Sequence, residues 1–444
     1  MAIASGPKGH PLLGNLPLAR RDPLKLFVEA FHEYGDVVRF RFGPMIGHMV
    51  SSARGVQHVL VDNARNYGKQ TRGYKNLRYV LGDGLLTAEG ETWKRHRRIA
   101  QPAFHRQRVH GFAQSMVRAA EDASVRLQAL LGREADLSAE MGRITLRIVG
   151  ETLLGHDPTA HAGDVGESLG FLLRLATERS ARVIDLPPLL PTRENRKFRA
   201  SLAKLDRIVL GMIEERRKDP ADRGDLLSML MLSRDEETGS ALDDRQLRDE
   251  AMTIFLAGHE TTANALTFTL LLLAQFPPAA RALRAELAAQ LQGRSPTLDD
   301  LAKLPLLKAT VEEALRLYPP AWMIARSATG ADEIDGFTIP GGSIVFVSPF
   351  VVHRSPRLWS DPEGFDPQRF LEGAKPPPRG AYFPFGAGPR QCIGNAFALM
   401  EAQLVLATLL PKLRFETIPG YAVDLEPSIT LRPRHGLKMA IRAA

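Results

Sequence analysis

Phe385-Gly386-Ala387-Gly388-Pro389-Arg390-Gln391-Cys392-Ile393-Gly394 decides how the rest of the chain is read. It holds the only cysteine in 444 residues, with three glycines, a proline and an arginine crowded around the sulfur. Gly386, Gly388 and Gly394 permit backbone angles and close approaches that a Cβ would block. Such a loop can bring backbone N–H groups up to a sulfur. An apolar helical pattern runs from Ala396 to Leu410, so Cys392 sits where a loop feeds a helix N-terminus, an end that favours an anion. Arg390, two residues earlier, adds a fixed positive charge. Together these features favour the thiolate, the metal-binding form of cysteine. The plainer alternative is a buried free cysteine in a glycine-rich turn.

The totals bound what surrounds this loop. With 44% apolar and 24% charged residues the composition is that of a globular protein, and length alone allows two or three domains. One cysteine excludes an intrachain disulfide, a multi-cysteine zinc site and an iron–sulfur cluster, and suits a reducing compartment. A net charge of +8 suits an anionic partner, but no Lys/Arg-rich tail is present, which argues against nucleic acid. Met1 to Pro11 contains no apolar run long enough for a signal or a membrane span. The expectation is a cytoplasmic protein with no membrane anchor, or a chain from which an anchor has been removed.

The Cys392 stretch resembles the haem-ligand loop of the cytochrome P450 superfamily, F-x-x-G-x-R-x-C-x-G. Phe385, Gly388, Arg390, Cys392 and Gly394 fill every fixed position. The resemblance covers essentially the whole chain. It implies that Cys392 is the axial thiolate of a haem b iron, an arrangement that favours O–O cleavage. Phe385, Gly386, Arg390 and Gly394 would then contact the cofactor. The implied fold is mainly α with small β-sheets (α+β): a triangular, helix-rich prism with the haem between a long central helix and the helix after the Cys loop. It implies one haem domain over 1–444, led by a Pro/Gly-rich segment over residues 1–20.

In chain order, Asp22-Pro23 reads as a helix cap and first position and Gly35 as the stop. Val38, Phe40 and Phe42 alternate with Arg39 and Arg41 as in a half-buried strand, and His48 to Ser51 returns as a hairpin. Residues 66–88 read as irregular, in the resembled fold a loop over the haem. Trp93 and Arg97 lie four apart on one helical face and match the family's W-x-x-x-R, which implies that both reach a haem propionate. Lys94, Arg95 and Arg98 are expected to face outward. Helical patterns fill 109–155 and 165–219, broken at Leu186-Pro187-Pro188-Leu189-Leu190-Pro191. In the resembled fold this break lies in a lid that opens for substrate. Arg196 to Arg217 is a basic amphipathic helix with a solvated face.

Asp243 to Phe276 is the longest helical pattern, about 50 Å at 1.5 Å per residue. Its centre reads Ala257-Gly258-His259-Glu260-Thr261-Thr262. Gly258 weakens a helix, so something must approach the backbone there. Thr261 can bond the Ala257 carbonyl and open a polar groove. The stretch matches the family's A-G-x-[DE]-T, with Ala257 and Gly258 beside the cofactor. The resemblance assigns Thr261 to hold dioxygen and a water, and Glu260 to relay protons. His259 reads as structural or solvent-facing. Glu313 and Arg316 resemble E-x-x-R; Phe365 to Phe370 resembles F-x-P-E-R-F with Gln368 at the usual glutamate. Glu313, Arg316 and Arg369 would form a buried ion triad, structural and not catalytic. Arg326 aligns with a second propionate-binding arginine. Phe255, Ala257, Ala321, Met323, Ile324 and Ile429 are the expected substrate contacts. Strands are expected from Phe337 to Val347 and over 423–442.

The reading is a haem-thiolate monooxygenase that hydroxylates or epoxidises a lipophilic small molecule: fatty acid, terpenoid or steroid. Electrons from NAD(P)H would arrive through a separate ferredoxin and its reductase, or a flavodoxin, docking on the basic side near Arg95, Arg98 and Arg390. Alternatives are a peroxide-driven peroxygenase or isomerase, against which Glu260-Thr261 argues, and a non-catalytic haem sensor. A cysteine-nucleophile hydrolase would need a histidine tied to Cys392, and no motif supplies one.

Overall fold

Asp22 caps the first amphipathic helix, α1 (Pro23–Tyr34): its carboxylate accepts the Lys25 N–H, and Gly35 ends the helix at φ 92°. The structure is a computed structural model that describes residues 2–155, 162–182, 187–218 and 221–444. Strands β1 (Val37–Phe42) and β2 (Met45–Val50) form the expected hairpin, with Val37 opposite Val50 and Phe42 opposite Met45. After the short β3 (Tyr67–Gly68), the stretch read as irregular contains a helix, α2 (Arg72–Leu81). Thr71 caps it and Gly82 ends it at φ 61°. Leu77, Val80 and Leu81 recur at helical spacing and are buried. Tertiary burial of that face outweighs the weak intrinsic propensity of the glycines and tyrosines around it.

Further helices follow: α3 (Gly90–Ala100), α4 (Ala113–Gln128), α5 (Leu137–Val149), α6 (Ala162–Ser180) and α7 (Arg193–Lys218). Pro187, Pro188 and Pro191 stand in non-helical chain between α6 and α7; Leu186 and Asp219 lie outside the described residues. The longest helix is α8 (Asp244–Gln275), closed at its start by a reciprocal cap between Asp243 and Gln246. It packs along α5 and touches α7, α10 (Pro305–Leu317) and α11 (Asn395–Leu409), while α9 (Pro277–Leu291) leaves it at a 110° bend. No single described helix is long and apolar enough to cross a membrane; α8 and α9 pass such a test only as this bent pair, and most of α8 is core.

β4 (Ile324–Ala328) and β5 (Ile344–Val347) join the hairpin in a mixed sheet of order β1-β2-β5-β4-β3, in which only β2 and β5 run parallel. β6 (Leu425–Pro427) and β7 (Leu431–Pro433) form a separate antiparallel hairpin. A further antiparallel sheet joins Glu134–Asp136, Lys438–Ala443 and Leu413–Thr417. One apolar core runs from α1 and β1 through α4, α5 and α8 to α11. A smaller core under the mixed sheet includes Val345, Val347 and Phe383, the last just ahead of the Cys392 loop.

Candidate active site

The Cys392 loop is held by backbone bonds and by glycines that have no substitute. Cys392 N–H donates to the Phe385 carbonyl at 2.9 Å and Gln391 N–H to the Gly388 carbonyl at 3.0 Å. Gly386 and Gly388 have φ of 70° and 67°, and a Cβ on Gly388 would stand 2.0 Å from the Leu60 carbonyl oxygen. Gly394 then caps α11. Cys392 is exposed, yet the protein packed around the sulfur pushes its thiol pKa up; the Gly394 N–H and the Arg97 guanidinium oppose this. Of the features expected to favour the thiolate, a backbone N–H and a guanidinium stand by the sulfur and the surrounding protein opposes them; a bound cation would deprotonate this sulfur. The cation beside it is Arg97. Arg390 instead lies over the Trp93 ring, 3.9 Å from the centroid, and donates to the Ala88 carbonyl at 2.8 Å.

Four cations gather around this loop. Arg97, on α3 with Trp93, donates to the Gln391 carbonyl at 2.9 Å. Arg326 on β4 is 6% exposed and reaches the Tyr74 hydroxyl at 3.3 Å. Lys69, also 6% exposed, donates to the Leu86 carbonyl at 2.5 Å. Burial pulls the Lys69 pKa well down, Arg326 and Arg390 push it the same way, and Glu89 opposes them. Burial, with Arg326 and Arg97, brings Arg390 down to about 10. Cations crowded and desolvated in this way are stable only beside an anion. The carboxylates of a cofactor bound at Cys392 would match that demand. Lys69 and Tyr74 were not foreseen, because no local pattern ties them to the loop.

At the centre of α8, the Thr261 hydroxyl donates to the Ala257 carbonyl at 2.6 Å. That bond alone is not distinctive: Thr267 and Thr269 make it to Ala263 and Ala265, both at 2.7 Å. Those pairs are buried, whereas Ala257 is exposed and Thr261 half-exposed, so of these three pairs only this one can be reached from outside the helix. What approaches Gly258 is α5, since a Cβ there would stand 2.9 Å from Val149 Cγ2. Phe255 is corrected: it is 1% exposed and belongs to the core. Two residues along a helix turn about 200°, which points Phe255 away from the face that Ala257 and Thr261 share. His259 is buried, its Nε2 3.1 Å from the Gly142 carbonyl, and burial brings its pKa down to about 4. Glu260 Oε1 accepts from the Thr430 hydroxyl at 2.9 Å and from Arg432 at 3.3 Å. Burial raises its pKa despite both partners.

The chain between α10 and β4 is fastened to the hairpin loop. Trp322 Nε1–H donates to the Ser428 carbonyl at 2.7 Å and Leu431 N–H to the Pro320 carbonyl at 2.9 Å. Ala321, Met323, Ile324 and Ile429 are half-buried along these two segments, and Ile324 Cδ1 lies 3.7 Å from where a Gly386 Cβ would be. Beneath, Arg316 forks onto Glu313 at 2.7 and 2.8 Å, and Arg369 reaches the same carboxylate at 3.3 Å. Arg316 also donates to the carbonyls of His353, Pro362 and Gly364. His353 Nε2 accepts the Phe383 N–H at 3.0 Å, so its Nδ1 carries the proton toward the Arg316 carbonyl at 3.2 Å. This buried relay of bonds ends three residues before Gly386. Arg95 and Arg98 do not project outward: Arg95 bonds the Ala241 carbonyl and Arg98 bonds Asp235 and Glu237.

The cytochrome P450 family model matches residues 4–438. The chain is 38% identical to cyclooctatin synthase of Streptomyces melanosporofaciens, over 96% of this chain and 92% of that protein. It is 36% identical to cyclooctat-9-en-7-ol 5-monooxygenase of the same organism, over 94% and 90%. Pentalenene oxygenase of Streptomyces avermitilis is 32% identical over 97% and 93%. Among solved structures, the heme domain of cytochrome P450DA superposes with a TM-score of 0.90 at 28% identity, covering 100% of this chain and 98% of that one.

Proposed function

The chain belongs to the cytochrome P450 family and is a haem-thiolate monooxygenase, and on that premise we propose that it oxidises a terpenoid hydrocarbon or alcohol. The observation that carries the substrate class is the half-buried apolar wall of Ala321, Met323, Ile324 and Ile429, which selects by shape. Relatives named for cyclooctat-9-en-7-ol and pentalenene point the same way. We assign 1–444 to one haem domain working in the cytoplasm. Family members draw electrons from redox partners; here these come from NAD(P)H through a ferredoxin and its reductase or a flavodoxin.

Cys392 would ligate the haem iron, and Arg97, Arg326, Arg390, Lys69 and Trp93 would hold its carboxylates. When bound, the haem supplies the oxidising chemistry that places one atom of dioxygen on the substrate and turns the other into water. The chain's own residues manage protons and position. Thr261 donates its hydroxyl to the Ala257 carbonyl on the exposed face of α8. The oxygen of that hydroxyl can accept a further hydrogen bond, from a water or a reacting group. Glu260 is the nearby carboxyl that exchanges a proton with it, and its raised pKa brings it toward neutrality, where an acid–base relay works best. The apolar wall holds the substrate and excludes bulk water.

The test has two parts. Reduced enzyme treated with carbon monoxide is expected to show the red-shifted band of a thiolate-ligated haem; an imidazole-like band would end the assignment of Cys392. Cyclic terpene hydrocarbons and alcohols, long-chain fatty acids and steroids are then titrated against the ferric enzyme. A Soret shift with the terpenoids supports the substrate class, and a shift with fatty acids or steroids alone overturns it.

A further inference from the structure

We propose that Arg432 is a positioning residue for proton delivery: shared between Glu260 and Glu426, it fixes the pH range over which Glu260 passes a proton toward Thr261. The inference rests on the relay reading of Glu260 given above. It starts from an asymmetry in the carboxyl group. Oε1 accepts from Thr430 at 2.9 Å and from Arg432 Nη1 at 3.3 Å, whereas Oε2 is buried with no partner among the described residues. Oε2 is therefore the oxygen left to carry a proton. Arg432 does not serve Glu260 alone. Its Nε donates to Glu426 Oε2 at 2.8 Å, and its Nη2 is buried without a partner among the described residues. One guanidinium thus divides between two carboxylates, and all three side chains are less than a fifth exposed. In such surroundings each charged neighbour weighs heavily on the carboxyl.

Among the described residues, the groups around Glu260 are few. On α8, His259 turns to Gly142 of α5, and Asn264 reaches the Thr430 hydroxyl at 3.5 Å. On α6, Arg174 is exposed, and both it and Arg432 approach the open side of Gly170. On α11, Glu401 faces Thr262. The hairpin supplies Thr430, Arg432 and Glu426. Burial pushes the Glu260 pKa up, Arg432 and Thr430 pull it down, and Glu426 pushes it up again. The signs follow. Removing Arg432 should raise the pH at which Glu260 titrates, and removing the charge of Glu426 should lower it. A residue that merely supported the fold would not give shifts of opposite direction.

The experiment is infrared spectroscopy of the haem-loaded enzyme across pH, with Glu260→Gln as the blank that identifies the Glu260 carboxyl band. Arg432→Met should move its titration up by about one pH unit or more. Glu426→Gln should move it down, and Arg432→Lys should return it most of the way. The hydrogen peroxide released per NADPH consumed, driven by a ferredoxin and ferredoxin reductase, should follow the same shifts. A titration that stays put in both Arg432→Met and Glu426→Gln overturns the proposal. If Arg432→Met fails to take up haem, Glu426→Gln decides alone: a downward shift supports the proposal, and no shift or an upward one overturns it. If Glu260→Gln leaves the peroxide ratio unchanged at every pH, the relay reading itself falls. An unmoved titration alongside an effective Glu260→Gln removes only the role given to Arg432.

Discussion

Thr261 differs from Thr267 and Thr269 in exposure and not in bonding, and that difference makes its hydroxyl available for chemistry. Thr261→Ala should keep the thiolate carbon monoxide band and substrate binding, while product formed per electron falls by about tenfold or more as peroxide leaks. Product yield against NADPH consumed measures this. Thr267→Ala, in the buried stretch, should leave that yield unchanged. The motifs around Cys392, Glu260 and Thr261 can be read in the sequence because each is a run of a few residues. Lys69, Tyr74 and Arg432 cannot, because each meets its partner only after distant segments fold together. Phe255 was misread for another reason: apolar residues two apart on a helix look alike in sequence but point to opposite sides.

At the scale of elements, the Cys392 loop depends on a scaffold that touches no reactant. Glu313 holds two arginines, and Arg316 leads through His353 to Phe383. Glu313→Gln leaves the buried Arg316 and the half-buried Arg369 short of a carboxylate, which should destabilise the fold by about 3–5 kcal/mol and abolish haem retention. Denaturant unfolding and haem content read both. Gly388→Ala places a methyl group against the Leu60 carbonyl and strains a positive φ, so it should yield protein without a thiolate-ligated haem. The caps of α1 and α8 and the β1–β2 hairpin were readable from Asp22, Asp243 and the alternation of Val38, Phe40 and Phe42. The helix α2 was hidden because its residues favour turns locally, and only packing of Leu77, Val80 and Leu81 settles their conformation.

For the whole molecule, the net charge of +8 does not identify a docking face. Arg95, Arg98 and Arg390 are each engaged by the protein's own groups. Arg98→Gln should therefore lower thermal stability more than it slows reduction by an acidic partner, as calorimetry and stopped-flow reduction would show. Acid sensitivity is also distributed through the fold. His259 has a folded pKa of about 4, below the unfolded value of about 6.5. The unfolded chain thus binds the extra proton first, and stability is lost as pH falls from about 6.5 toward 4, by up to about 1.4 kcal/mol per pH unit. His259→Gln lacks that slope, so its deficit relative to the native protein should narrow over this range in urea unfolding. The tie between Trp322 and Ser428 has a consequence for engineering and for divergence. Two stretches about a hundred residues apart in the chain are one wall in space, so a graft of either from a relative would misalign the other. Altered regioselectivity should come from exchanging both together, and lineages that change what they oxidise would have to revise the two in step.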